Sequence, residues 1–180
     1  MRLRNGEHGY GVVTKALHWL TVALLVVQVT LGYAVERADD LLEPLADRFF
    51  DGEAEGLVLV HAVVGVSLLV VALVRLVWRR TAGLPPWSER LTARDRRVEA
   101  AVEKVLYPAL VTMPLTGLLL LLASGEDWNL GGDREWRSPW EIADDDVLLG
   151  AHIASHLLLY AAVAVHVGLV LRRRLLPRML

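Results

Sequence analysis

Four histidines lie near the ends of long apolar segments, and their spacing is the first sign of chemistry in this sequence. His152 and His166 are 14 residues apart in the last apolar segment. This spacing is just under four helical turns, so both imidazoles project from nearly the same face, roughly 21 Å apart along the axis. His18 lies in the first apolar segment and His61 in the second. Neutral imidazole is the commonest metal ligand among side chains, so the last helix is predicted to offer one ligand to each of two metal centres.

The segments that must position these histidines are long enough to cross a membrane. Hydrophobic residues make up 54% of the chain, and the mean hydropathy is +0.41. A soluble four-helix bundle would need a polar stripe on every helix, but residues 57–74 contain only His61 and Ser67 as clearly polar side chains. We therefore predict an all-α, four-helix transmembrane bundle that forms one membrane-embedded domain over residues 1–180. Each span allows about 20 apolar residues, and the predicted spans are residues 13–35, 57–78, 100–123 and 147–171.

Charges are segregated between the two ends of these spans. Fifteen of the 19 Lys and Arg residues fall in the N-terminal segment, the middle loop with its flanks, and the C-terminus. The positive-inside rule then predicts a multi-pass protein of the cytoplasmic (inner) membrane with both termini in the cytoplasm. The two loops on the other side carry 16 of the 21 acidic residues, so the outer face is predicted to be strongly acidic. No sequence motif indicates a nucleic-acid partner.

The predicted orientation sorts the histidines into two pairs by depth. His18 and His166 lie near the cytoplasmic ends of their spans, while His61 and His152 lie near the outer ends. Two facing neutral imidazoles are what bis-histidine haem requires, and the absence of cysteine excludes thiolate haem ligation and c-type attachment. Two haem b groups are therefore predicted. The alternatives for a single histidine are a hydrogen bond between helices or a proton relay.

His156 is the ambiguous residue of the set. It lies about 40° from His152 around the helix and one turn deeper, so it is an alternative ligand or a group beside a substrate pocket. Its offset from His166 leaves about 80° between the two side chains, a poorer alignment than that of His152, which we favour. A zinc site formed by His152 and His156 would lack both the glutamate of a zincin motif and any cysteine.

Haem propionates need cationic or N–H partners at each membrane interface. On the cytoplasmic side the candidates are Lys15, Arg75 and Arg79. On the outer side the candidates are Arg134 and Arg137, together with the indole N–H groups of the third loop (residues 124–146), which belong to Trp128, Trp136 and Trp140.

Several stretches, taken in order, resemble the bacterial cytochrome b561 family. Together they cover nearly the whole chain. They are Lys15-Ala16-Leu17-His18-Trp19-Leu20, His61-Ala62-Val63-Val64-Gly65, Val74-Arg75-Leu76-Val77-Trp78-Arg79, Leu106-Tyr107, Met113-Pro114-Leu115-Thr116-Gly117, and His152 with His166.

The resemblance implies four helices, two b haems with His18, His61, His152 and His166 as ligands, and electron exchange with lipid quinone. The family includes superoxide oxidases, so the most specific activity implied is that of a superoxide:quinone oxidoreductase. The alternative is a non-catalytic haem anchor that passes electrons between a partner dehydrogenase or hydrogenase and the quinone pool.

Two features depart from the family pattern. Glu103 stands where members often carry a histidine, one turn before the Leu-Tyr pair of the third helix. The acidic outer face would repel superoxide at long range. Local arginines can override that repulsion within a Debye length of about 8 Å, and the candidates are Arg37, Arg48, Arg134 and Arg137.

Overall fold

Four long helices dominate the computed structural model, which describes residues 2–7, 9–36, 56–129 and 135–180. Two short strands lie between the third and fourth helices and pair antiparallel, with Trp128 opposite Trp136. The all-α, four-helix class predicted from the sequence is confirmed. In chain order the elements are α1 (Val12–Glu36), α2 (Gly56–Ala82), α3 (Ala93–Ala123), β1 (Asp127–Asn129), β2 (Glu135–Arg137), α4 (Asp145–Arg172) and a 3-10 helix (Leu176–Arg178).

Each of the four helices is long and apolar enough to cross a membrane. Large apolar side chains stay exposed along them, such as Val26 at 61%, Val63 at 57% and Leu157 at 64%. Such continuous apolar surface is unfavourable in water and marks a surface that contacts lipid or another protein. The predicted spans at residues 13–35, 57–78, 100–123 and 147–171 all fall within these helices.

Helix α3 begins well before its apolar run because a reciprocal cap starts it. The backbone N–H of Thr92 donates to the Asp95 carboxylate (2.8 Å), and the backbone N–H of Asp95 donates to the Thr92 hydroxyl (3.2 Å). These two bonds satisfy N–H groups that the first helical turn leaves without partners. Asp95 also forms an ion pair with Arg173 at 2.8 Å. This capping box of Thr92 and Asp95 sets the start of α3.

The chain divides into two compact units, and each contains a segment of every long helix. The first unit comprises Met1–Thr21, Val70–Met113 and Ala154–Leu180. Its core includes Ala72, Met113 and Leu159, whose side chains are 0–1% exposed. His18, His156 and His166 belong to this unit.

The second unit comprises Val22–Leu69 and Pro114–Ile153. Leu68 is fully buried in it, and His61 and His152 belong to it. The β1–β2 segment is fastened to the end of α3 through Ser138. The Ser138 hydroxyl donates to the carbonyl of Leu121 (2.9 Å) and accepts from the indole of Trp128 (3.2 Å). These bonds attach Trp128 and Ser138 to the C-terminal part of α3.

Candidate functional site

The first unit brings His18 of α1 and His166 of α4 together. Their ring centroids are 6.4 Å apart, and the ring planes meet at 61°. Both side chains are partly buried. The two residues are far apart in the sequence, so only the packing of the first helix against the last can pair them.

The other two helices each supply a polar partner to this pair. Arg75 of α2 donates from Nη2 to Nδ1 of His18 at 2.9 Å. On α3, Glu99 accepts from Nδ1 of His166 at 2.8 Å. A hydrogen bond at one ring nitrogen fixes the orientation of an imidazole and directs its other nitrogen. Each ring is therefore held from the side by a charged group on a neighbouring helix.

The second unit brings His61 of α2 and His152 of α4 together in the same way. Their ring centroids are 6.3 Å apart, and the ring planes are nearly perpendicular at 87°. His152 is the more buried of the two, with 8% of its surface exposed. The two pairs thus have almost equal ring separations, and α4 contributes one histidine to each.

Neutral groups surround this second pair. Gln28 of α1 is 3% exposed, and its amide nitrogen donates to Nε2 of His61 at 3.0 Å. The Thr116 hydroxyl of α3 lies 3.0 Å from Nδ1 of His152. A Cβ at Gly117 would lie only 2.8 Å from Cε1 of the His152 ring. A residue without a side chain is therefore needed for α3 to approach this imidazole.

The spacing of both pairs fits a metal ion held between two imidazoles. A metal–imidazole bond is about 2 Å and a ring nitrogen lies about 1 Å from its centroid, so two axial rings have centroids roughly 6 Å apart. Among the described residues, three of the four buried side-chain atoms without a hydrogen-bond partner belong to these surroundings: Gln28 Oε1, His61 Nδ1 and Glu99 Oε2. Buried polar atoms are rarely left unpaired. The two pairs of imidazole rings and the unpaired polar atoms beside them therefore fit bis-histidine haem.

His156 lies on α4, and its recorded ring contact is with a residue of the same helix. Its ring stacks on Tyr160 with the centroids 5.8 Å apart and the planes inclined by only 13°. Both side chains are partly buried. The contact with Tyr160 gives His156 a packing role on its own helix.

The arginines that were predicted to contact haem propionates have different partners in the structure. Arg75 contacts His18, as described above. Arg79 instead forms a two-pronged ion pair with Glu103, at 2.9 and 2.7 Å. Arg137 is exposed and lies 3.8 Å from the carboxylate of Asp127. Arg134 lies outside the described residues.

Lys15 is the third residue, beside Arg75 and Arg79, that was predicted to contact a haem propionate on the cytoplasmic side. It lines a cavity beside the first turns of α1. Tyr107 of α3 lies beneath both Arg75 and Arg79, whose guanidinium carbons are 5.6 and 5.3 Å from the ring centroid. The two arginines therefore share one aromatic neighbour, and Glu103 neutralises only Arg79.

Sequence reasoning missed the polar partners of the histidines. Gln28, Glu99 and Thr116 each contact one of the four rings. A signal for two of them is present in the sequence, since Gln28 is a long polar side chain inside an apolar run and Thr116 is alone among apolar residues. Glu99 lies among charged residues before the apolar part of α3, where nothing in the sequence distinguishes it.

Comparison with known proteins supports one family over the length of the chain. The family profile described as Prokaryotic cytochrome b561 matches residues 9–180. Cytochrome b562 of Cereibacter sphaeroides is 29% identical over 175 residues, which cover 97% of this chain and 96% of that protein. Cytochrome b561 homolog 2 of Escherichia coli (strain K12) is 24% identical over 132 residues, which cover 73% of this chain and 65% of that protein. This chain belongs to the prokaryotic cytochrome b561 family, and it is a multi-pass membrane protein that binds haem b and transfers electrons.

Proposed function

We propose that this cytochrome carries two haem b groups, one held by His18 and His166 and the other by His61 and His152. The observation that carries the proposal is the repeated ring separation of 6.4 and 6.3 Å, which suits two axial imidazoles. His156 is not included because its ring is stacked on Tyr160.

The hydrogen bonds of α4 favour neutral imidazole ligands. Nδ1 of His166 donates to Glu99, and Nδ1 of His152 lies within hydrogen-bond distance of the Thr116 hydroxyl. An imidazole that carries its proton on Nδ1 presents the lone pair of Nε2 to a metal ion. Glu99 therefore holds the ligand tautomer of His166 in place, and the Thr116 hydroxyl can accept from Nδ1 of His152 in the same way.

Arg75 has a different task at the first site. It donates to Nδ1 of His18, so that nitrogen accepts rather than carries a proton. A neutral His18 that ligates through Nε2 would carry its proton on Nδ1 and could no longer accept from Arg75. We therefore propose that the guanidinium turns to a haem propionate, for which Arg offers a two-pronged match.

Bis-histidine haem supplies one-electron redox chemistry and leaves no coordination position for oxygen. The protein holds three of the rings through hydrogen-bond partners on α1 and α3, which are Gln28, Glu99 and Thr116. We propose that electrons pass between the two haems and that a lipid quinone exchanges electrons beside one of them. The arginine distribution supports an orientation with both termini in the cytoplasm, and with the family it supports a location in the bacterial cytoplasmic membrane.

Haem stoichiometry tests the first part of this proposal. Purified protein should contain two haem b per chain, and each of His18→Ala and His61→Ala should remove one of them while leaving the other reducible. The measurement is a pyridine haemochrome assay combined with the α-band spectrum. One haem per chain in the unchanged protein would overturn the two-site proposal.

The most specific activity that we propose is oxidation of superoxide by quinone. Two superoxide anions would give up one electron each, and quinone would take up two electrons and two protons to become quinol. The family resemblance supports this substrate, whereas 16 acidic residues in the two predicted outer loops oppose the approach of an anion.

An assay of purified protein with a superoxide source and quinone tests this activity. Quinone reduction should exceed the uncatalysed rate and should disappear when superoxide dismutase is added. A preparation of His61→Ala that has lost one haem is the control for protein-independent reduction. Quinone reduction at only the uncatalysed rate would exclude the superoxide activity and leave the cytochrome proposal intact.

A second candidate function is that of a haem anchor for a soluble dehydrogenase or hydrogenase. The observation that favours it is the connection between α2 and α3, where Leu84 and Trp87 are 50% and 42% exposed next to a run of arginines. Exposed aromatic and apolar side chains within a basic surface are typical of a protein docking site. Replacing Leu84 and Trp87 with Ser should then abolish haem reduction by the partner and leave haem content unchanged.

A further inference from the structure

A cavity of about 560 Å³ lies beside the first turns of α1, and all of its wall belongs to the first unit. The N-terminal segment before α1 forms one side of the wall. Side chains of α1 and residues Met179 and Leu180 form the rest. None of the histidine pairs lines this cavity, so it is a separate feature of the molecule.

Three basic side chains line the cavity: Arg2, Arg4 and Lys15. Within residues 2–7, 9–36, 56–129 and 135–180, no carboxylate lies within 4.0 Å of any of these three cationic groups. Three unneutralised cations around one cavity create a positive potential that favours an anion.

The N-terminal segment is held against α1 by hydrogen bonds. The backbone N–H of Val12 donates to the carbonyl of Arg2 at 3.0 Å. The Asn5 side chain accepts from the backbone N–H of Gly11 (2.9 Å) and from the Thr14 hydroxyl (2.7 Å). A side chain at Gly11 would overlap the backbone of Leu3 and Arg4. The segment that carries the two arginines is thus folded onto the start of α1.

Apolar side chains from the start of α1 also line the cavity. They are Val12, Ala16 and Trp19. The Trp19 indole donates to the carbonyl of Met179 at 2.7 Å, which fixes the ring at the cavity edge. Tryptophan is enriched at the level of lipid headgroups, and α1 is a candidate membrane span from Val12 onward. A cavity that combines cationic and apolar side chains at the level of the lipid headgroups is suited to an amphiphilic molecule.

Tyr10 adds a hydrogen-bond donor to the cavity. Burial raises the pKa of its phenol, so the hydroxyl stays protonated at neutral pH. The guanidinium carbon of Arg178 lies 5.5 Å from the centroid of the Tyr10 ring and brings a fourth positive charge close to the cavity.

We propose that this cavity binds the phosphate headgroup of an anionic phospholipid, with Arg2 and Arg4 on the phosphate and an acyl chain along Val12 and Trp19. Basic pockets beside membrane helices are suited to such headgroups, because each cation near an anionic lipid adds to its attraction. This site does not depend on which residues ligate haem, so it goes beyond the electron-transfer proposal.

Native mass spectrometry of the full-length, haem-loaded protein tests the site. Phosphatidylglycerol and phosphatidylcholine with the same acyl chains are the two probes. We expect the phosphatidylglycerol complex to be at least about 10-fold tighter, and we expect Arg2→Gln with Arg4→Gln to remove that difference. Lys15 stays unchanged because it is also a candidate for a haem propionate.

The matched control removes the same charge elsewhere. Arg94→Gln with Arg96→Gln lies at the start of α3, where both side chains are exposed, and should retain the preference for phosphatidylglycerol. Haem content measured on each variant shows that it has folded. Gly11→Val, which displaces the N-terminal segment, should lose the preference without any change in net charge.

Three results would overturn the proposal. The first is equal binding of the two lipids by the unchanged protein. The second is an equal loss of preference in the control variant, which would indicate a general charge effect. The third is complete displacement of phosphatidylglycerol by millimolar inorganic phosphate, which would make free phosphate the ligand of the cavity.

Discussion

The two histidine pairs differ most in the charge of their hydrogen-bond partners. His166 donates to the carboxylate of Glu99, whereas His152 lies beside the neutral hydroxyl of Thr116. A carboxylate at Nδ1 adds negative charge to an axial imidazole, which stabilises ferric over ferrous iron. If the histidines ligate haem as proposed, Glu99 and Thr116 would give the two haems different reduction potentials.

Replacing Glu99 with Gln tests this effect. The amide oxygen can still accept from His166, so haem binding should persist while the negative charge is lost. A charge-assisted hydrogen bond exceeds a neutral one by roughly 1–2 kcal/mol, or about 40–90 mV for a one-electron couple. The potential of the haem at His18 and His166 should rise by that amount in a redox titration of the α-band.

Thr116→Val provides the comparison for Glu99→Gln. It removes a hydrogen bond at the other pair and should leave the potential of the haem at His18 and His166 unchanged. Equal shifts of both haems in Glu99→Gln would contradict a local effect and would indicate a general change in the electrostatic field.

The choice between His152 and His156 gives a second prediction at the scale of residues. His152→Ala should lower the haem content from two to one per chain, because it removes one of two facing rings. His156→Ala should retain both haems and lose the stacking contact with Tyr160. Haem quantification of both purified variants decides the matter, and the opposite pattern would assign the ligand to His156.

At the scale of elements, the position of α3 depends on how closely it can approach α4. Gly117 faces the His152 ring, and an added Cβ would come within 2.8 Å of Cε1. A side chain there would push the imidazole out of line or force the helices apart. This contact links a glycine on one helix to the geometry of a proposed haem ligand on another.

Gly117→Val should therefore weaken the site at His61 and His152. Overpacking of this kind costs about 1–3 kcal/mol, and the expected result is a haem content that falls from two toward one per chain. Gly168→Val on α4 is the matched control, since nothing lies within 4 Å of a Cβ added at that position. Haem loss of the same size in both variants would point to a general loss of helix stability.

The helices could be predicted from the sequence because each is a long, almost uninterrupted apolar run. The pairing of His18 with His166 and of His61 with His152 followed from their depths in those runs, and the structure brings both pairs together. The partners of the rings could not be predicted in the same way. Their positions depend on how each helix is rotated about its axis, which an apolar run with a weak polar stripe does not define.

The strands β1 and β2 were missed for a different reason. Each has only three residues, and the two strands pair with one another within the loop between α3 and α4. Trp128 and Trp136 are partners in the ladder, and Ser138 connects the loop to α3. A segment this short has too few residues for an alternating pattern to stand out.

At the scale of the whole molecule, the distribution of charge along the sequence predicts that the protein has two distinct sides. Basic residues collect in the N-terminal segment, the α2–α3 connection and the C-terminus, and acidic residues collect in the other two loops. The first arrangement predicts the orientation in the membrane, because loops rich in Lys and Arg remain in the cytoplasm. The second determines how strongly an anionic electron donor would be repelled from the outer face.

Fusion reporters test the orientation that this distribution predicts. Green fluorescent protein fused after Leu180 should fluoresce, because its fluorophore forms in the cytoplasm. Alkaline phosphatase fused after Ile142 should be active, because it folds only outside the cytoplasm, and the same enzyme fused after Pro86 should be inactive. Immunoblots with equal signal for the three fusions are the control for expression. A reversed pattern would contradict the prediction from Lys and Arg, and it would place the His61–His152 pair rather than the His18–His166 pair toward the cytoplasm.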